Sequence, residues 1–314
     1  MATRRSILAG GVGGALLPAI AKAQDLAPAS IVPLWPGRAP GSEGVTVQQR
    51  SVPRSATSGP EDVAFYGVTR PTLGIVRPAQ PNGHALLLIP GGSYERVASA
   101  PNGGELARVL ARRGFLVGTL IYRLPYDGWA AGPDAPLQDA QRAFRLLARE
   151  AGPGAKTGVI GFSAGGHLAG SLASRFAEAS YAPLDSLDRN PARPAFAGMF
   201  FPVVTMTSPN AHAPSRRNLI GGNPTPERIA RWSLEQNVPA DMPPTFLTVA
   251  ADDRVVPAEN SLMMFTALRA RKVPSALHVF DAGGHGFGKP GDPAGPGRFW
   301  PDLFGDWLQR QKLD

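Results

Sequence analysis

Apolar residues fall in two alternating patterns along this chain. Short continuous runs lie at 86–89, 115–122, 156–160, 196–201, 246–250 and 276–280, the first of them ending in Pro90-Gly91-Gly92. Such runs read as strands buried on both faces of a sheet. Between them lie stretches with helical spacing, at 105–113, 136–150, 168–176, 258–271 and 298–309. In the second of these, Leu137, Ala140, Phe144 and Leu147 form one stripe. Strands alternating with helices predict an α/β fold with a mainly parallel central sheet covered on both faces. Residues 62–68 and 72–76 read as a first pair of strands. Residues 24–60 are rich in Pro, Gly, Ser and Thr without apolar periodicity, and predict an irregular arm over the sheet. The alternation breaks at 205–244, a small insertion expected over the carboxyl edge, where ligands bind in such sheets. Neither an internal repeat nor a dividing linker interrupts 61–314, which reads as one catalytic domain.

The N-terminus follows another logic. Thr3-Arg4-Arg5-Ser6-Ile7-Leu8 is a twin-arginine pattern, followed by an apolar, glycine-rich stretch and Ala21-Lys22-Ala23, a small-x-small cleavage site. This predicts a Tat-type export signal over 1–23, engagement of the Tat machinery before cleavage, and a periplasmic or secreted product. The apolar stretch is too short for a stable membrane anchor. Removing Arg4, Arg5 and Lys22 with the leader lowers the net charge from +8 to +5. The remaining basic residues are dispersed, with at most two adjacent, so no nucleic-acid partner is expected. With 0 cysteines the sequence excludes disulfides, thiolate metal sites and a cysteine nucleophile. It also lacks His-x-x-x-His spacing and a phosphate-binding glycine loop, so no metal and no cofactor is expected.

The sharpest chemical signal is Gly161-Phe162-Ser163-Ala164-Gly165. The strand before it and the small-residue helix after it supply the context of a nucleophile elbow. There Ser163 is the expected nucleophile, and the N–H of Ala164 points to an oxyanion. The loop after 86–89, Pro90-Gly91-Gly92-Ser93-Tyr94, is expected to supply the second donor from Gly92 or Ser93. Of the five histidines, His285 sits in a glycine-rich loop just after the last strand and is the expected general base. His167, on the elbow helix, is expected to be packed. The orienting acid should follow a strand between Ser163 and His285. Asp252 and Asp253 follow the strand ending at Ala250, and Asp252 is favoured because it leaves the strand first, with Asp253 supporting the loop. Tyr94, and Trp232 in the insertion, are candidate substrate-binding residues, each with packing as its alternative.

Together with Tyr122-Arg123-Leu124-Pro125, Pro243-Pro244-Thr245-Phe246, Asp252-Asp253-Arg254-Val255-Val256-Pro257 and Gly284-His285-Gly286, these pieces resemble the α/β-hydrolase superfamily. Within it the chain is similar to exported bacterial acetylxylan esterase-like enzymes, near the feruloyl esterase and carboxylesterase branch. The aspartate-pair motif is also similar to that of prolyl-oligopeptidase-type peptidases, where the first aspartate is catalytic. The chain departs from the family's His-Gly-Gly-Gly loop by carrying Pro90 and Ser93 at the flanking places. The resemblance implies a serine carboxylic ester hydrolase that deacylates short-chain esters such as acetylated sugars or xylan fragments. Alternatives are an exported serine peptidase, a general short-chain carboxylesterase or lipase, and a non-catalytic carbohydrate-binding protein.

Overall fold

A computed structural model describes Leu26, residues 29–288 and residues 295–313. The expected leader, 1–23, lies outside the described residues. The strands are β1 (Ser30–Pro33), β2 (Arg50–Pro53), β3 (Val63–Tyr66), β4 (Thr72–Val76), β5 (His84–Ile89), β6 (Leu116–Ile121), β7 (Lys156–Phe162), β8 (Ala197–Phe200), β9 (Thr245–Ala250) and β10 (Ser275–Phe280). The helices are α1 (Gly104–Arg112), α2 (Ala135–Ala151), α3 (Ala164–Ser174), α4 (Ala213–Ile220), α5 (Pro226–Trp232), α6 (Glu259–Ala270) and α7 (Trp300–Gln309). Eight strands form one sheet in the order β1-β4-β6-β5-β7-β8-β9-β10. β5 pairs in parallel with β6 and β7, and the parallel pairing continues through β8 and β9 to β10. β1 and β4 run antiparallel to their neighbours.

The alternation along each strand divides the core between two faces. Leu87 and Ile89 of β5 pack with Leu137, Phe144 and Leu147 of α2, Leu168 and Leu172 of α3, and Leu268 of α6. Leu86 and Leu88, pointing the other way, pack with Leu110 of α1 and with Phe304 and Trp307 of α7. Period-2 alternation on a strand, met by the 3.6-residue stripe of each helix, produces this three-layer arrangement. Each fully buried leucine contributes about 1.5–3 kcal/mol of transfer free energy.

The N-terminal region differs from the expected irregular arm. β1 extends the main sheet beyond β4, and β2 pairs antiparallel with β3. The expected strands at 62–68 and 72–76 form as β3 and β4, and they pair with others: β3 with β2, and β4 with β1 and β6. The arm is fastened by buried polar groups. The indole N–H of Trp35 donates to Asp139 Oδ1 (2.8 Å), and Arg142 Nε donates to the Leu34 carbonyl (3.0 Å). Arg123, whose side chain is fully buried, pairs with Asp139 and donates to the Pro40 carbonyl (2.7 Å).

Candidate active site

Ser163 lies between β7 and α3, as the residue that caps the helix, at φ +57°, ψ −122°. For a non-glycine residue this backbone costs on the order of 1–3 kcal/mol, and it projects the side chain off the sheet edge. The two flanking glycines make the turn possible. A Cβ at Gly161 would lie 2.0 Å from the Gly165 carbonyl oxygen, and one at Gly165 would lie 2.2 Å from the Ile89 carbonyl oxygen. No larger residue fits either place.

Ser163 Oγ is 2.9 Å from His285 Nε2. His285 lies on the loop after β10, and its ring packs edge-on against Phe201 at 4.9 Å between centroids. On its other side His285 Nδ1 lies 2.8 Å from Asp253 Oδ2. The contact corrects the expected acid, because Asp253 and not Asp252 faces the imidazole. The turn after β9 decides between them. The Asp253 N–H donates to the Ala250 carbonyl (3.2 Å), closing a turn that swings the second carboxylate inward. There its side chain is 0% exposed, and Oδ1 accepts from the N–H groups of Val255 (2.9 Å) and Val256 (3.0 Å). Burial alone would raise the Asp253 pKa. The hydrogen bond and charge of His285 and the two backbone donors outweigh it and hold the carboxyl below its ordinary value. Asp252 remains exposed at the corner of the turn. It accepts from Gly284 N–H (2.8 Å) and Gly283 N–H (3.3 Å), and so ties down the loop that carries His285.

The Pro90–Tyr94 loop lies across from the elbow. Tyr122 Oη donates to the Pro90 carbonyl (3.0 Å), and Asn218 Nδ2 of α4 donates to the Ser93 carbonyl (2.9 Å), fixing the loop from both sides. Among the described residues no group accepts from the N–H of Gly92, Ser93 or Ala164. Gly92 and Ser93 border the cavity in front of Ser163, and Ala164 is the buried first residue of α3.

Tyr94 and Trp232 do not border that cavity, which corrects their assignment to substrate. Tyr94 is 2% exposed, and its Oη–H donates to His167 Nδ1 (2.8 Å). His167 Nε2–H donates in turn to the Trp232 carbonyl (2.8 Å). Burial lowers the His167 pKa to about 4, so this ring stays neutral and links the loop, α3 and α5. The Trp232 ring is buried under the Arg175 guanidinium at 4.7 Å. The 205–244 segment therefore buttresses the loop and α3 from behind. Also in this segment, His212 is buried with Nδ1 on Ser215 Oγ (2.8 Å), and burial with the nearby His285 charge lowers its pKa.

The cavity has a volume of about 790 Å³. Its walls come from the Pro90–Ser93 loop, the start of α1, Phe201, the His285 loop and the β2–β3 hairpin. The hairpin contribution was missed in the sequence, where the region lacks periodicity. The opposite charges of Arg54 and of Glu61-Asp62, flanking the Ser-Gly-Pro turn, were the available signal. Among the described residues no group of three or more His, Cys, Asp or Glu side chains could hold a metal ion. No described helix is long and apolar enough to cross a membrane.

Comparison with known proteins bears on the same parts of the chain. The model of the prolyl oligopeptidase family matches residues 196–295, the stretch that carries Asp253 and His285. Over 212 residues the chain is 38% identical to endo-1,4-beta-xylanase B of Butyrivibrio fibrisolvens, covering 64% of this chain and 32% of that protein. Over 220 residues it is 29% identical to the acetylxylan esterase of Xylanibacter ruminicola, covering 67% and 42% respectively. The crystal structure of the acetyl ester-xyloside bifunctional hydrolase from Caldicellulosiruptor lactoaceticus superposes with a TM-score of 0.70 at 30% identity, covering 89% of this chain and 95% of that one. The chain thus spans about a third to two fifths of the length of the curated relatives it matches.

Proposed function

Because the chain belongs to the α/β-hydrolase superfamily, among its acetylxylan esterase-like members, we propose that it is a serine carboxylic ester hydrolase that removes short acyl groups from acylated sugars. The observation that carries this reading is the continuous relay from Ser163 through His285 to Asp253, at 2.9 Å and 2.8 Å, opening on one cavity. Ser163 Oγ attacks the ester carbonyl as His285 Nε2 takes its proton. The carbonyl oxygen becomes an oxyanion, held by the N–H of Ala164 and by that of Gly92 or Ser93. Collapse expels the alcohol, which leaves with the proton returned by His285. Water then attacks the acyl-enzyme by the same proton path and releases the acid. Asp253 keeps the Nδ1 proton in place throughout and stabilises the imidazolium.

The relatives' names support an acylated carbohydrate as substrate. The twin-arginine leader supports export through the Tat route to the periplasm or beyond. Turnover of p-nitrophenyl acetate by the Ser163→Ala variant tests the central assignment, since triad members act as a unit. A loss of several orders of magnitude is expected. Retention of more than a few per cent would overturn it. The match to the prolyl oligopeptidase model favours a peptidase as second reading. Cleavage of Ala-p-nitroanilide faster than p-nitrophenyl acetate would establish it instead.

A further inference from the structure

The cavity in front of Ser163 extends well past the triad. It runs by Ala98 and Gly103 to the β2–β3 hairpin, where Arg54, Glu61 and Asp62 form the distant wall. The two ends differ in chemistry. Around the serine and His285 stand the rings of Phe162, Phe201 and Phe287, in contact with one another. At the hairpin end the walls carry Arg54, Glu61 and Asp62, with Glu105 of α1 joined to them through Arg108. A volume of about 790 Å³ far exceeds an acetyl group and lies in the range that holds a whole small-molecule ligand.

The charged groups at this end are held in place. Glu61 accepts from both terminal nitrogens of Arg108 (3.0 and 2.6 Å), which docks the hairpin on α1. Asp62 pairs with Arg54 (3.0 Å) and accepts from Ser58 Oγ (2.8 Å). These side chains remain 41–47% exposed, so their polar ends face the cavity and not the core. Positive and negative groups balance, since Arg54, Arg108 and Arg112 pair with Asp62, Glu61 and Glu105, which gives little net pull on an ionic ligand. Instead, donors and acceptors stand side by side, the arrangement that neighbouring hydroxyls of a neutral sugar satisfy, since each hydroxyl both donates and accepts. The hairpin is also held in register with the reacting centre. Phe65 of β3 exchanges both backbone hydrogen bonds with Val97 (2.9 Å each), and Ala98 N–H donates to the Gly91 carbonyl (2.9 Å).

We propose that the β2–β3 hairpin is the subsite for the alcohol part of the substrate, where Arg54, Glu61 and Asp62 hold the neutral sugar residues of an acylated oligosaccharide. The acyl group lies at the apolar end. The inference rests on the esterase reading above. It assigns recognition to the N-terminal hairpin and not to the 205–244 segment.

The test compares kcat/KM for acetylated xylotriose with kcat/KM for p-nitrophenyl acetate in the full chain. The ratio of the two should fall at least tenfold, mainly through KM for the sugar ester, in Arg54→Ala/Asp62→Ala and in Glu61→Gln. The single variant guards against loss of the hairpin fold, because a glutamine at that position keeps one acceptor for Arg108. Unacetylated xylotriose added to Ser163→Ala should also slow amide hydrogen exchange over residues 50–66. A ratio within twofold of the parent in both variants, with no change in exchange, would overturn the proposal. Labelling of Ser163 by a fluorophosphonate separates the two levels. A labelled serine with an unchanged ratio overturns the subsite alone. An unlabelled serine with neither ester hydrolysed overturns the esterase reading and the subsite with it.

Discussion

Replacing each of the two adjacent aspartates by asparagine separates their roles. In Asp253→Asn the retained Oδ1 stays on the N–H groups of Val255 and Val256, which otherwise lose their acceptor. The new amide then turns its NH₂ toward His285 Nδ1, across a gap of 2.8 Å. Two donors cannot share that gap, so the imidazole moves its proton to Nε2. It then presents an N–H, and not a lone pair, to Ser163 Oγ. A base in the wrong tautomer cannot take the serine proton, and an inversion of this kind lowers kcat by about 10⁴. At 1.36 kcal/mol per tenfold, that is about 5 kcal/mol of activation free energy. Asp252→Asn, by contrast, loses one of two acceptors for Gly283 and Gly284 and leaves the relay intact. A neutral hydrogen bond of this kind is worth about 1 kcal/mol, so kcat should fall by about tenfold or less. The assay is steady-state turnover of p-nitrophenyl acetate at pH 7.5, normalised to sites titrated with a fluorophosphonate. A loss of about a thousandfold in Asp252→Asn, with Asp253→Asn keeping more than a tenth of its rate, would refute the reasoning and restore Asp252 as the acid.

Three further outcomes follow from the surrounding structure. Tyr94→Phe leaves His167 Nδ1 buried without its donor, and should cost about 1–3 kcal/mol in urea unfolding while KM changes less than twofold. A large rise in KM with unchanged stability would return Tyr94 to the substrate. Arg123→Ala strands the Asp139 carboxylate in a dry interior, and should lower stability by about 3–5 kcal/mol by the same measurement. Burial raises the Asp127 pKa to about 6, so the folded chain holds this proton more tightly than the unfolded one. Its contribution to stability is present at acid pH and is lost as pH rises through about 6. Asp127→Asn should flatten that slope, read from urea midpoints at pH 4 and pH 7. An unchanged slope would show that Asp127 does not titrate there.

Much of this was legible in the sequence where burial acts on both faces of an element. β5, β7 and β9 are buried along nearly their whole length because helices cover both sides, so their mostly apolar runs stand out without any alternation. The elbow was legible because its backbone tolerates only glycine on either side of the serine. The edge strands were not. β1 and β2 each have four residues, mostly exposed, and each ends in proline, so their sequence carries no burial pattern. The choice between Asp252 and Asp253 depended on one turn hydrogen bond at Ala250, which adjacent identical residues cannot signal. Tyr94 and Trp232 were misread because an aromatic ring in a loop satisfies a cavity wall and a core equally well. Only the position of His167 distinguishes them.

The way the arm is fastened bears on how this protein can be trimmed. A fragment begun at residue 61, the apparent start of the catalytic domain, would lose more than a surface tail. It would leave β4, with four of its five residues buried, as an unpaired border of the sheet. Such a bare, apolar edge is a template for joining other chains, and it invites aggregation. The same cut would remove the Pro40 carbonyl and the Trp35 indole from the Arg123 and Asp139 pair, leaving buried charges short of partners. Residues 29–60 thus cover one of the two edges of the sheet.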